Sequence, residues 1–376
     1  MAFLIIILLT SMKTKRWLLK KGMIFILLFC LLMPSYSATF FNHTFTLKNL
    51  FNIESSDQIV IQSITPKDDA FHGSTDIPTV EWWYFDCMFN ENYSAHIGFK
   101  VFTFRGWNFL RPTMNIYQNQ QLIINQTTWI PPHNFFVSEE YPLLVINEKP
   151  VMKFNKTSYQ ESGKWIYHLS YNLDDVGVNL TFKSDTTGWT YETIHEGWTV
   201  AIPKGTVKGT IHLPEKEIKV EGRGYHDHNW NFSLNTPARG WSWYWGKITG
   251  ETLNLAWAEI KETGILQQTF CDKLGVLNTQ KNEFIVIDPN NITFSAESYM
   301  FKDHRFIPTQ FHILIDQDEV FIDVTLDSMN IHRSNPSMMT LHYWRYFVSV
   351  NGVMSYGDTV EELNEKTQIM EYMRFI

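Results

Sequence analysis

The sequence predicts an all-β protein made of antiparallel barrels or sandwiches. Three observations carry this. Short period-two runs rich in Val, Ile, Thr, Tyr, Phe and Trp recur with polar turn clusters between them. Long amphipathic helices are hard to find, which argues against doubly wound and TIM-type architectures. Asn351-Gly352 sits between the apolar runs YFVSV and VMSYG, a strong hairpin signal because both residues tolerate positive φ.

Residues 1–38 read as a secretory signal peptide. From Met12 a basic stretch (Lys13, Lys15, Arg16, Lys20, Lys21) leads into an apolar run from Met23 to Met33, then Pro34 and the small residues Ser35, Ser37 and Ala38. Cleavage is expected near Ser37 or Ala38, with Met12 as the working start because the apolar segment Ala2 to Thr10 lies upstream of the basic residues. The expected location is secreted or extracytoplasmic, an uncleaved segment that holds the chain to a membrane being the alternative. Of the three cysteines Cys30 leaves with the signal, so Cys87 and Cys271 form one disulfide or remain two buried thiols. Seven Asn-x-Ser/Thr sequons, at Asn42, Asn92, Asn125, Asn155, Asn179, Asn231 and Asn291, permit glycosylation.

Further along, His96–Phe104 (HIGFKVFTF) alternates as a strand. Pro and Gly cluster at Ile202–Gly209, placing a soft boundary between two halves, 39–205 and 206–376. Ile211–Val220 is expected to be strand, charged turn, strand; Leu253–Ile260 a strand; and Phe311–Leu326 a hairpin around Gln317-Asp318-Glu319. Only the tail from Thr359 to Met373, rich in Glu, Leu and Met, reads as a short C-terminal helix.

Composition narrows the function. At 376 residues, 44% hydrophobic and 19% charged, the chain can bury one or two full cores. Its 28 Phe, 16 Tyr and 14 Trp exceed what a core needs and suggest an enclosed aromatic space. Without the signal the net charge moves from −8 to −13, since five basic residues and no acid are lost, which disfavours nucleic-acid partners. An apolar small molecule is the expected partner; protein partners are not indicated. No nucleophile elbow, phosphate loop, HExxH or CxxC occurs, and no cofactor or metal is implied.

Three blocks hold the candidate chemistry. In EWWYFD, Trp82 and Tyr84 face one side of a strand while Glu81, Trp83 and Phe85 face the other. Glu81 beside aromatics must pair, reach water or hold its proton, with His72 and Asp68 as candidate partners. In GRGYHDHNWN, His226 and His228 share a face with Asp227 opposite. Three readings fit: two ligands of a metal site completed by His195 or a carboxylate, an acid–base pair around an Asp227 kept protonated by Tyr225 and Trp230, or a hydrogen-bonded junction. In WSWYWG, Trp241, Trp243 and Trp245 alternate into an indole wall suited to flat conjugated ligands or a cation; Trp257 and Glu259 follow downstream.

The order Pro66-x-Asp68-x-x-x-His72, EWWYFD, GxGYHDHNW, WxWYWG and the terminal VNGVMSYGDTVEE resembles the carotenoid 1,2-hydratase (hydroxyneurosporene synthase) and AttH-like superfamily over roughly residues 60–363. The resemblance implies two tandem lipocalin-like barrels and cofactor-free chemistry on apolar, unsaturated ligands, as in carotenoid hydratases, tocopherol cyclase and fungal Diels–Alderases. It assigns most weight to His228 and Trp230, makes Asp227 the proton donor, and maps an aromatic-x-acid pair onto Trp257 and Glu259. Asn231 stands where the family has glycine, and export departs from the intracellular hydratases. Two functions follow. In the enzyme, Asp227 or Glu81 protonates a C=C, Trp230 and the indole wall stabilise the cation, and water held by His228 captures it to give a hydratase, or ring closure gives a cyclase. In the carrier, Asp227 is tied into a junction out of the ligand's reach.

Overall fold

The computed structural model describes residues 60–73, 78–90, 92–192, 197–233, 242–263, 269–281, 283–334 and 341–375; the signal region, His195 and Trp241 lie outside them. In the first sheet the strands are β1 (Ile61–Ser63), β2 (Thr79–Phe89), β3 (Tyr93–Phe104), β4 (Trp107–Gln118), β5 (Gln121–Thr127), β6 (Phe135–Val137), β7 (Leu143–Ile146), β8 (Lys149–Phe154), β9 (Ile166–Leu173), β10 (Val176–Ser184), β11 (Trp189–Glu192), β12 (Gly197–Leu213) and β13 (Lys216–Ser233). The second holds β14 (Ser242–Thr249), β15 (Asn254–Thr263), β16 (Thr269–Asn278), β17 (Phe284–Ile287), β18 (Ile292–Lys302), β19 (Arg305–Gln317), β20 (Val320–Ser334), β21 (Leu341–Tyr356) and β22 (Thr359–Phe375). Among the described residues there is one short α-helix, α1 (Lys156–Ser162), capped by the Asn155 side chain and stopped by Gly163 in the left-handed region.

Both sheets are antiparallel and curl into half-barrels, as the tandem lipocalin-like reading requires. In each, the chain returns to pair its last strand with an early one: β13 lies between β2 and β12, and β22 between β14 and β21. This closure places the GYHDHNW block in the middle of its sheet, covered on both faces. Each sheet has its own apolar core, and a third, mainly aromatic cluster (Tyr84, Trp189, Trp198, Tyr225, Trp243, Trp245) lies between the sheets.

The expected hairpins around Pro214-Glu215 and Asp318-Glu319 are present. Three expectations need correction. The halves do not divide at 205/206, because β12 runs through that point and β13 still belongs to the first sheet; the chain changes sheets between Ser233 and Ser242. Pro203 and Gly205 mark bulged pairing with β13, where a missing N–H and a missing side chain are tolerated. Asn351-Gly352 is likewise no turn: it bulges β21, with Gly352 at φ 137° and the Asn351 side chain accepting from the Glu365 N–H, and the turn comes at Gly357-Asp358. The tail is strand β22, not helix, because pairing with β21 and β14 buries Leu363, Ile369 and Met370 and overrides helix propensity.

A buried ionic junction ties the two sheets together. Asp86 of β2 meets Arg345 of β21 (2.6 Å) and Lys247 of β14, while Glu371 of β22 accepts from Arg345 (2.8 Å), Tyr84 (2.8 Å) and Trp245 Nε1 (2.8 Å). Two cations and two carboxylates compensate one another, which such depth demands. Burial pushes the Asp86 carboxyl up, but Arg345 and Lys247 prevail and hold it at about 2. Cys87 is a buried free thiol; the Cys271 side chain lies outside the described residues.

Candidate functional site

Strand β13 carries the candidate residues to two different places. His226, His228 and Trp230 face the first sheet's interior, whereas Tyr225, Asp227 and Asn229 face the aromatic cluster between the sheets. Period-two geometry makes this separation unavoidable in an extended strand.

On the inner face the histidines and carboxylates form a chain. His72 Nδ1 lies 3.1 Å from Glu81 Oε1, His228 Nε2 2.8 Å from the same oxygen, and His228 Nδ1 3.4 Å from Asp69 Oδ1. Asp69 Oδ2 continues to His226 Nε2 (3.1 Å) and accepts from the Tyr167 hydroxyl. His226 Nδ1 is 3.0 Å from the Tyr84 carbonyl, which only accepts, so that nitrogen carries a proton. Aromatic rings fix the imidazoles: Trp83 stacks on His228 (4.3 Å), Phe85 on His226 (3.8 Å) and Trp230 on His72 (4.0 Å).

Burial draws the His228 imidazolium's pKa down, but hydrogen bonds and charge from Asp69 and Glu81 outweigh it and lift it to about 9. Burial alone would raise the Glu81 carboxyl; hydrogen bonds from His228 and His72 hold it below the usual range. Glu81 is therefore ionised, which removes it as the proton-holding acid that the sequence allowed. Asp69 is likewise held below the usual carboxylate range, by His226 and then His228 against the same burial. The Nδ1 of His72, the Oε1 of Glu81 and the Nε2 of His228 lie within 4.8 Å of one another, a donor set of metal-binding type. Glu81 Oε1 also accepts from the His72 backbone N–H while facing both imidazoles, so without a cation the same groups form an ion-paired relay from His72 through Glu81 and His228 to Asp69.

Asp227, on the outer face, is 3% exposed. It accepts from Tyr225 OH (2.8 Å), Trp198 Nε1 (3.0 Å) and Asn229 Nδ2 (3.1 Å). None of these partners is charged. Burial pushes its carboxyl up to about 7 despite the hydrogen bonds that oppose the shift. Beside it a small crevice opens between the sheets, with a cavity volume of about 10 Å³, room for about one water, lined by Trp198, Asn229, Phe232, Trp243, Ile260 and Leu274. Trp198 and Asn229 thus touch Asp227 on one side and the crevice on the other.

The remaining predicted residues divide by face. Trp82, Tyr84, Tyr225, Trp243 and Trp245 belong to the inter-sheet cluster. Trp83 does not: it is fully buried in the first core, with its indole N–H on the Asp69 carbonyl. Trp257 packs in the second core against Phe294, and Glu259 shares its face of β15, with Lys261 at 3.3 Å, so neither meets Asp227. Of the suggested partners of Glu81, His72 is confirmed, while Asp68 instead caps the Thr65 turn. Asp69, the second residue of the Asp68-Asp69 pair, and Trp198 escaped the sequence reading. The Asp-Asp doublet was the available signal for the first; nothing marked the second.

Asn231 has φ 66°, the left-handed conformation that glycine adopts most readily and asparagine next, at a bulge where β13 and β2 change register between Asn229 and Phe232. That bulge turns the Trp230 indole onto Gly197, where a Cβ would lie 2.0 Å from the ring.

A family model described as AttH-like matches residues 61–363. Among solved structures, a Nitrosomonas europaea protein assigned to AttH is similar at TM-score 0.59 and 13% identity, covering 84% of this chain and 98% of its own. Kievitone hydratase from Nectria haematococca is similar at TM-score 0.54 and 9% identity, over 83% and 93% of the two chains. CghA bound to Sch210972 is similar at 0.53 and 10%, over 84% and 98%. At such identities the likeness shows the fold. The comparison with curated proteins finds no match.

Proposed function

Because the chain belongs to the AttH-like family, we propose that it binds a flat, apolar, unsaturated small molecule at the crevice between its sheets, which widens to admit it, and adds a proton to one of its C=C bonds. The observation that carries this reading is the Asp227 carboxyl, held at about 7 by burial and in contact with Trp198 and Asn229, which line the crevice. Such an acid is half protonated at neutral pH, as general-acid catalysis requires. Proton transfer leaves a carbocation facing the π-surfaces of Trp198 and Trp243 and an Asp227 carboxylate behind them. Attack by water then forms the C–O bond and returns a proton to the carboxylate, giving hydration; loss of a proton after internal C–C bond formation gives cyclisation. That a kievitone hydratase shares the fold favours the first outcome. Export through residues 1–38 belongs to the same proposal, with the mature N-terminus as its check.

The experiment is turnover of a candidate polyene by wild type and by Asp227→Asn, followed by mass of the product. Loss of the +18 or isomerised product in the variant, with ligand binding retained, supports the reading; unchanged turnover removes it. A carrier is the second reading. It is favoured by one observation: Asp227 is itself fully hydrogen-bonded and sits behind the crevice lining. Lipids retained by gently purified protein, identified by mass spectrometry, establish the ligand under either reading.

A further inference from the structure

His72, Glu81 and His228 meet at one point from three separate stretches of chain. His72 lies in the segment after β1, Glu81 on β2, and His228 on β13 opposite Trp83. Glu81 Oε1 stands 3.1 Å from His72 Nδ1 and 2.8 Å from His228 Nε2, and all three donor atoms fall within 4.8 Å of one another. Two imidazole nitrogens and a carboxylate oxygen are a recurrent donor set for zinc and its transition-metal neighbours. With metal–ligand bonds of ~2.0–2.2 Å, tetrahedral donors sit about 3.3 Å apart. Opening the two short pairs slightly, with the imidazoles drawn together, therefore admits an ion.

The surroundings hold these donors in place. Trp83 stacks on His228 (4.3 Å) and Trp230 on His72 (4.0 Å), while Glu81 Oε1 also accepts from the His72 backbone N–H (3.0 Å). Behind His228, Asp69 Oδ1 lies 3.4 Å from Nδ1, and neither atom has another hydrogen-bond partner among the described residues. A carboxylate so placed orients a metal-bound imidazole: it keeps the proton on Nδ1 and leaves Nε2 for the ion. His226, which the sequence pairs with His228, is not the second ligand, because the Tyr84 carbonyl engages its Nδ1 and Asp69 its Nε2.

Charge and access point the same way. Two buried carboxylates, Asp69 and Glu81, face the cluster, and a divalent ion meets both charges, one directly and one across His228. The His72 side chain is 29% exposed, whereas that of His228 is fully buried, so an ion can enter from the His72 side and keep a coordination position toward solvent.

We propose that His72, Glu81 and His228 bind a divalent transition-metal ion of the zinc type, with Asp69 supporting His228. The site lies on the face of β13 opposite Asp227 and does not depend on the reading of the crevice. The ion would tie the segment after β1 to β2 and β13, so that binding stabilises the fold.

The test uses the full chain, stripped with a chelator and titrated with zinc in competition with a chromogenic zinc indicator. Wild type is expected to take up one zinc per chain and to unfold at a higher temperature with zinc than without. Glu81→Gln and His72→Ala should each weaken binding by more than the ~10–100-fold expected of Asp69→Asn, which removes only a supporting carboxylate. His312→Ala, which removes an exposed histidine elsewhere, should leave binding unchanged. Cobalt(II) in place of zinc should give the visible bands of a four-coordinate nitrogen and oxygen site, and His72→Ala should lose them. Because this signal comes from the ion, Glu81→Gln keeps the test decisive if His72→Ala fails to fold. Calcium, which takes oxygen donors, should not displace zinc. Absence of saturable zinc uptake, uptake unchanged in both Glu81→Gln and His72→Ala, or displacement by calcium overturns the proposal and leaves the cluster as an ion-paired relay.

Discussion

Asp227 and His228 are consecutive on β13 yet serve opposite faces of the sheet: the carboxyl of one enters the aromatic cluster between the sheets, and the imidazole of the other is locked between Glu81 and Asp69 inside the first. They therefore do not converge on one reacting bond, and water capture guided by His228 has no place in the mechanism proposed for Asp227. His228 is instead tied between two carboxylates on the far face of the strand that carries Asp227.

If Asp227 is the acid, Asp227→Asn lowers turnover by ~10²–10⁴-fold, the usual range for removal of a general acid, and leaves ligand affinity nearly unchanged. In wild type the active form is protonated, so kcat falls as pH rises through about 7. A pH–rate profile measures this; one that is flat between 6 and 8 would contradict the assignment.

The same shift has a sign in stability. Asp227 binds its proton more tightly in the folded state, at about 7 against a usual value of 3.8. Stability is therefore unaffected by this group below its unfolded pKa, declines as pH rises above it, and levels off above about 7 at a cost of order 4 kcal/mol. Asp227→Asn keeps an acceptor and removes the charge. Urea denaturation should show the variant gaining on wild type from pH 5 to pH 8, and a constant difference would contradict the shift.

His228 has the opposite course. Its folded pKa is raised to about 9 from 6.5, so its contribution is complete below 6.5 and is lost as pH rises through about 9. NMR titration of the imidazole should place its midpoint near 9, and Glu81→Gln, which removes one of its two anionic partners, should move that midpoint down. A midpoint unchanged by Glu81→Gln would mean that Asp69 alone holds the cation.

How much of this was legible in the sequence depends on the range of the interactions. Which side of β2 carries Glu81, Trp83 and Phe85, and which carries Trp82 and Tyr84, follows from alternation, a property of the strand alone. The sequence also placed His226 and His228 together, away from Asp227. What it lacked was pairing. The tail from Thr359 reads as a helix because its helical preference is local, whereas the partners that make it a strand, Trp243 and Val348 among them, come from elsewhere in the chain. For the same reason Asn351-Gly352 looks like a turn until Leu363 is placed opposite Gly352. Asp69 sits in a surface-like Pro-Lys-Asp-Asp run, and only closure of β13 against β2 brings His226 and His228 onto it.

The junction between the sheets is a sharper test of assembly. Arg345 holds Asp86 and Glu371, and removing it as Arg345→Met leaves both carboxylates buried with their charge only partly met by Lys247. Destabilisation of ~3–5 kcal/mol is expected, as for other buried pairs broken from one side. The double variant Arg345→Met, Glu371→Gln should recover much of that loss, because Asp86 keeps Lys247 and no orphan charge remains. Equal losses in the single and double variants, measured by chemical denaturation, would place the stabilisation in packing rather than charge.

The backbone around Trp230 offers a pair of changes with opposite signs. Gly197 leaves room for the indole, and the Cβ of Gly197→Ala would lie 2.0 Å from Trp230 Cε2, a contact with the rigid body of a ring held against His72. Neither partner can yield without disturbing the stack, so a loss of ~1–3 kcal/mol is expected, in the range for overpacking. At Asn231 the left-handed φ of 66° makes Asn231→Gly neutral or slightly stabilising, whereas Asn231→Ala should cost about 1 kcal/mol. Asn231→Gly also removes the sequon. If thermal denaturation shows Asn231→Ala and Asn231→Gly to be equivalent, the left-handed bulge is not what positions Trp230, and the stack on His72 must be fixed by the ring contacts alone.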